Sequence, residues 1–131
     1  MAVNTEKIKL NKLGIRKTVN VRVTFGLLEK LDELDIMLLD LQDTENVEYI
    51  DMRRNNLKSA RLKMEFVQAA FELSDENIED IKNNINPKQF GEAFEYVTLR
   101  MRGMSDSEYN ILIAEAKRLQ EEQEAEETDP K

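Results

Sequence analysis

Residues 19–34, VNVRVTFGLLEKLDEL, change period in mid-course. Val19, Val21, Val23 and Phe25 alternate with polar neighbours, and three of the four are β-branched. That is the pattern of a half-buried strand. After Gly26 the leucines at 27, 31, 34, 38 and 41 recur at steps of four, three, four and three. These lie on one face of a helix. A strand therefore hands over to a helix at Gly26. No comparable strand signal occurs elsewhere, so the stretch marks the chain as mainly α with one β excursion near its start.

A single strand cannot stand alone. It must pair with the residues before it, with another copy or with a partner. Residues 1–17 are basic and carry Ile8, Leu10, Leu13 and Ile15 around Gly14. They read as an extended arm able to supply one strand of a hairpin. Ile8, Leu10, Val19, Val21 and Val23 are accordingly the residues expected to support self-association.

Downstream the helical signals continue. Gln42 to Asn46 is polar and reads as a turn. Ile50, Leu57, Met64 and Phe71 follow at intervals of seven, with Val47, Ala60 and Val67 filling the seam. The spacing predicts a helix over 46–73, about 40 Å long at 1.5 Å per residue, around which the others could wrap. Ser74 is a natural N-cap, followed by Asp75 and Glu76 where the helix dipole favours acids. Ile78, Ile81 and Ile85 form the apolar side of that helix. Asn86-Pro87 restarts the chain with a cap and a proline in the first turn. Phe90, Phe94, Val97 and Met101 then line one face, which is the candidate partner-binding surface. Gly103 suits a C-cap. Ser105 and Glu108 have capping-box spacing, opening a last helix with Tyr109, Leu112, Ile113, Ala116 and Leu119.

The fold expected is mainly α: four to five amphipathic helices around one long central helix, with a short N-terminal strand or hairpin arm. Its organisation reads as a basic arm and strand over 1–25, a helical domain over 26–120, and an acidic, disordered tail over 121–131.

Composition narrows the chemistry. The 131 residues include no histidine and no cysteine. Ser59, Ser74, Ser105 and Ser107 have neither a glycine elbow nor a histidine base. The four glycines are too scattered for a phosphate loop. Thiolate zinc sites and disulfides cannot form. The acids at 72, 75, 76, 79 and 80 cluster, but they lack the Glu-x-x-His pairing of a di-iron bundle and the central glycine of an EF-hand. They read as a solvated face. The basic run Arg53, Arg54, Lys58, Arg61 and Lys63 is spread around its helix and reads as surface charge. No catalytic residue, metal site or cofactor site is expected. The N-terminus resembles neither a secretory signal nor an anchor, and no run approaches the roughly 20 apolar residues of a membrane span.

Net charge is −8, unevenly placed. Residues 1–30 hold seven Lys or Arg against two Glu, a net of +5, and residues 31–131 hold twelve against twenty-five, a net of −13. The acidic body disfavours broad nucleic-acid binding. The basic arm keeps open a helical regulator or nucleic-acid-binding accessory protein as the alternative function.

The order of elements also resembles a known family. A short alternating strand runs into FGLLEKLDEL; a long helix ends MEFVQAAFELSDENIEDI; a further helix carries FGEAFEYVTLRMRG; a charged C-terminus follows. Over residues 18–115 this resembles the tail assembly chaperones of long-tailed bacteriophages infecting Gram-positive bacteria, and in particular the small proteins encoded just before the tape measure protein in siphophages of lactic acid bacteria. The resemblance implies a mainly helical, non-enzymatic protein in the cytoplasm of the infected host. It would bind and solubilise the tape measure protein, help tail-tube subunits polymerise around it, self-associate, and be absent from the finished virion. It also implies that a frameshifted, longer form can exist.

Overall fold

The computed structural model describes residues 4–42 and 47–127. The expected turn at Gln42–Asn46 lies largely outside them, as does the end of the acidic tail. Two strands and five helices follow in order: β1 (Asn4–Lys9), β2 (Thr18–Val23), α1 (Phe25–Leu41), α2 (Tyr49–Ala70), α3 (Asp75–Asn84), α4 (Pro87–Met101) and α5 (Asp106–Glu127). The mainly α fold with an N-terminal hairpin is thus the one the sequence patterns call for.

β1 and β2 pair antiparallel, with Ile8 opposite Val19 and Glu6 opposite Val21. Of the three partners open to the strand, it takes the arm. A 3-10 turn, Asn11–Leu13, and Gly14 connect the two strands. Gly14 has φ +82°, and its carbonyl accepts from Asn84 Nδ2 at 2.8 Å. This ties the hairpin loop to the end of α3.

The strand stops at Val23 and does not extend to Phe25. Thr24 takes an extended conformation and accepts the Leu27 N–H on its hydroxyl, so it caps α1. Phe25 becomes the first helical residue and is 84% exposed. The cap outcompetes the alternation because an N-terminal N–H left unpaired is costly.

One core gathers side chains from the hairpin and every helix. Ile8, Leu10, Leu13, Leu31, Val67, Ile81, Ala93 and Val97 are fully enclosed. Burying each large side chain among them is worth about 1.5–3 kcal/mol relative to exposure. The most enclosed helix is α4, which buries seven residues, whereas α2 buries only Val67. α4 therefore occupies the centre. The long helix spans 22 residues rather than 28, and its regular stripe is only partly used. Phe71 is buried and Met64 half-buried, but Ile50 and Leu57 are 55% and 51% exposed.

Helix ends follow the expected chemistry. Ser74 with Asn77 and Asn86 with Gln89 form reciprocal capping boxes at α3 and α4. Ser105 accepts the Glu108 N–H at 3.1 Å and donates its hydroxyl to the Glu108 carboxylate. Gly103, at φ +103°, closes α4 with Met104 N–H donating to the Leu99 carbonyl. At the end of α2 the same left-handed position falls to Glu72, φ 53°, with Leu73 N–H donating to the Gln68 carbonyl.

Candidate partner-binding surface

The start of α5 is fastened to α4 by a polar and aromatic knot. Tyr96 donates its hydroxyl to Asp106 Oδ1 at 2.5 Å. Its ring meets Tyr109 edge-on, with centroids 4.8 Å apart, a favoured aromatic geometry. Lys12 Nζ lies 5.3 Å and 5.7 Å from the centroids of the two rings. Arg100, buried on α4, donates to the Met104 carbonyl at 2.9 Å and the Lys7 carbonyl at 2.8 Å, and pairs with Glu6 at 3.3 Å. Its Nε lies 3.1 Å from Asp106 Oδ1. That contact is an ion pair without hydrogen-bond alignment, leaving Nε with no acceptor.

This environment moves two phenols. Burial pushes Tyr96 up from 10.0 to about 12, reinforced by its hydrogen bond to Asp106 and that carboxylate's charge. Tyr109 is also raised, first by burial and then by the charges of Glu95 and Glu92.

Past this knot an open groove separates α5 from α4. Tyr109 is buried, but every residue from 110 to 125 is exposed. Leu112, Ile113 and Leu119 are 41%, 42% and 49% exposed. With Ala116 they sit three and four residues apart on one helix face. The apolar stripe predicted for the last helix is present, and beyond Tyr109 it stays exposed among the described residues. Helix propensity and i,i+4 pairs such as Arg118 with Glu122 at 2.8 Å support the exposed turns. Between α4 and α5 runs an open groove of about 640 Å³, lined in part by Lys12, Ile85, Ala93, Tyr109, Ile113 and Ala116.

The face singled out from sequence falls elsewhere. Phe90, Phe94, Val97 and Met101 do come together, but in the interior, at 7%, 6%, 0% and 1% exposure. They are core residues of this subunit because α4 is wrapped by the hairpin and its 3-10 turn and by α2, with the first turn of α5 packed on it, rather than lying outside α2. Only Phe90 reaches a surface depression, a groove of about 410 Å³ between α2 and α4 that Met64, Ile81 and Ile85 also line. Ile8, Leu10 and Val21 are likewise buried, and Val19 and Val23 pack half-buried against the core. The exposed apolar stripe that sequence reasoning did not single out lies on α5. Its stripe was visible, but nothing in the pattern told that α4 would be too fully occupied to cover it.

Among the described residues, no group of three or more Asp or Glu is placed to hold a metal ion. The acids at 72, 75, 76, 79 and 80 are all exposed. No helix of the described residues is long and apolar enough to cross a membrane.

The protein is thus mainly helical and leaves apolar side chains exposed on α5, and also on α1 (Ile36, Met37, Leu39) and α2 (Tyr49, Ile50, Leu57). Residues 6–123 match the family model of the phage tail assembly chaperone proteins, and the chain belongs to that family. Membership gives it a role in phage tail assembly and implies partners among phage tail proteins. No curated protein and no solved structure shows a significant match to the chain.

Proposed function

We propose that this protein is a non-enzymatic chaperone that binds and solubilises the tape measure protein during tail morphogenesis, in a phage of the siphophage type infecting a Gram-positive host. The single observation that carries the reading is the stripe of Leu112, Ile113, Ala116 and Leu119, left open on α5 beside the α4–α5 groove. An amphipathic helix laid along that stripe would bury its own apolar face. A long helical tape measure protein offers many such faces, and the acidic body would keep a coated complex soluble.

The exposed apolar residues of α2, Tyr49, Ile50 and Leu57, support homo-oligomer formation, so that several copies coat one partner. Action in the cytoplasm of the infected cell and absence from the mature virion belong to the same reading.

Co-expression of the tape measure protein with and without this chain tests it. The tape measure protein is expected in the soluble fraction, co-purifying with the chaperone, only when both are made. A tape measure protein that is equally soluble alone, or that never co-purifies, contradicts the proposal.

A further inference from the structure

The two edges of the hairpin are treated differently. Leu10 N–H donates to the Lys17 carbonyl at 2.8 Å, which with the register fixes the parity of the ladder. Residues 17, 19, 21 and 23 turn their backbone groups toward β1, and Thr18, Asn20 and Arg22 turn theirs outward. On β1 the outward Lys7 carbonyl is taken by Arg100. On β2, among the described residues, no hydrogen bond engages the outward N–H or C=O of Thr18, Asn20 or Arg22. An open edge of this kind is a template for another strand.

Beside that edge lies a groove of about 710 Å³, lined by β2, the first turns of α1 and the end of α2. Lys17, Arg22 and Lys30 line it, none of them in an ion pair among the described residues, against a single acid, Glu72. Val19, Val21, Leu27 and Phe71 supply its apolar walls. Phe25, between two of the lining residues, is 84% exposed. In a protein of net charge −8, this is a local concentration of unpaired positive charge.

We infer that β2 is a docking edge for an extended, acidic segment of a partner protein, which adds as a third strand. Main-chain pairing to Thr18, Asn20 and Arg22 supplies affinity, and alternate side chains select the sequence. Acidic residues on the added strand fall on the Arg22 face and apolar ones on the Val19 and Val21 face, while Lys17 and Lys30, which also line the groove, add to the positive field. A second copy of β2 is disfavoured, because it would bring two sets of the same cations together. This surface is separate from the α5 stripe and does not depend on the identity of the partner bound there.

Hydrogen exchange measured by NMR on the full chain, with a short synthetic peptide alternating valine and glutamate, tests the inference. The amides of Thr18, Asn20 and Arg22 are expected to slow when the peptide is added. The matching peptide with lysine in place of glutamate is expected to leave them unchanged. Arg22→Glu together with Lys30→Glu is expected to weaken binding of the glutamate peptide roughly tenfold. Asn20→Pro removes an outward donor without touching the ladder to β1, and is expected to weaken binding too. Circular dichroism checks its fold, and if it does not fold the charge-reversal pair carries the test. Unchanged exchange, or equal slowing by both peptides, overturns the inference. Slowing that appears without peptide and grows with protein concentration overturns it in favour of a second copy. Slowing by a single-stranded oligonucleotide but not by the glutamate peptide overturns it in favour of nucleic acid.

Discussion

Arg100 Nη2 donates to the carbonyl of Lys7 across a separation of 93 residues. One guanidinium thereby holds the outer edge of β1 against α4, while its other nitrogens reach Met104 and Glu6 and approach Asp106. A planar cation with several donors is the side chain that can serve so many acceptors at once. Arg100→Ala is expected to destabilise the fold by about 2–3 kcal/mol, at or below the lower end for a broken buried pair because Asp106 is half-exposed. Urea unfolding followed by circular dichroism measures it. A loss well under 1 kcal/mol would show that the knot adds little to stability.

The hairpin loop depends on Gly14. A Cβ there would lie 2.9 Å from Asn84 Cβ and 3.0 Å from Ile85 Cγ2, in a left-handed backbone. Gly14→Ala is expected to cost about 2 kcal/mol. Gly91 gives the contrast: it lies inside α4 with nothing within 4 Å of an added Cβ. Gly91→Ala is expected to stabilise by about 0.5–1 kcal/mol. Thermal melts of the two variants should move in opposite directions.

Glu72 sits in a conformation suited to glycine. Glu72→Gly is expected to stabilise by roughly 0.5–1 kcal/mol through relief of that strain. It also removes the one acid lining the β2 groove, so it should not weaken capture of the acidic peptide. Parallel melting and titration of this variant read both effects.

High pH should weaken the fold through Tyr96. Its folded pKa, about 12, stands above the ordinary 10.0. The stabilisation from the protonated phenol is therefore complete below about pH 10 and lost as pH rises toward about 12. Tyr109 shifts in the same direction. Unfolding measured on either side of this window should show a fall in stability, and Tyr96→Phe should make that fall shallower. An identical slope in the variant would remove Tyr96 as its source.

The helix boundaries were legible because caps are local. Ser74, Asn86, Gly103 and Ser105 act through neighbours within a few residues, so their roles do not depend on the rest of the fold. The hairpin register was partly legible from the valine alternation, until Thr24 diverted Phe25 into α1. Which stripe faces the core was not legible. Phe90, Phe94, Val97 and Met101 look as exposable as Leu112, Ile113 and Leu119 in the pattern alone. The difference arises from tertiary competition, because α4 is covered from several sides and leaves α5 attached only by its first turn. Long-range polar ties such as Arg102 to Asp32 and Asp35, at 2.8 and 2.7 Å, carry no local signature at all.

The most direct test of the central claim compares two variants for tape measure protein binding. Leu112→Gln, Ile113→Gln and Leu119→Gln together strip the α5 stripe while retaining helix-forming residues. This triple variant is expected to melt within a few degrees of the wild type, since its positions are already open to solvent. It is expected to lose co-purification with the tape measure protein, whereas Phe94→Gln unfolds the subunit. If the triple variant is folded and still retains and solubilises the tape measure protein as the wild type does, the α5 stripe is not the binding surface.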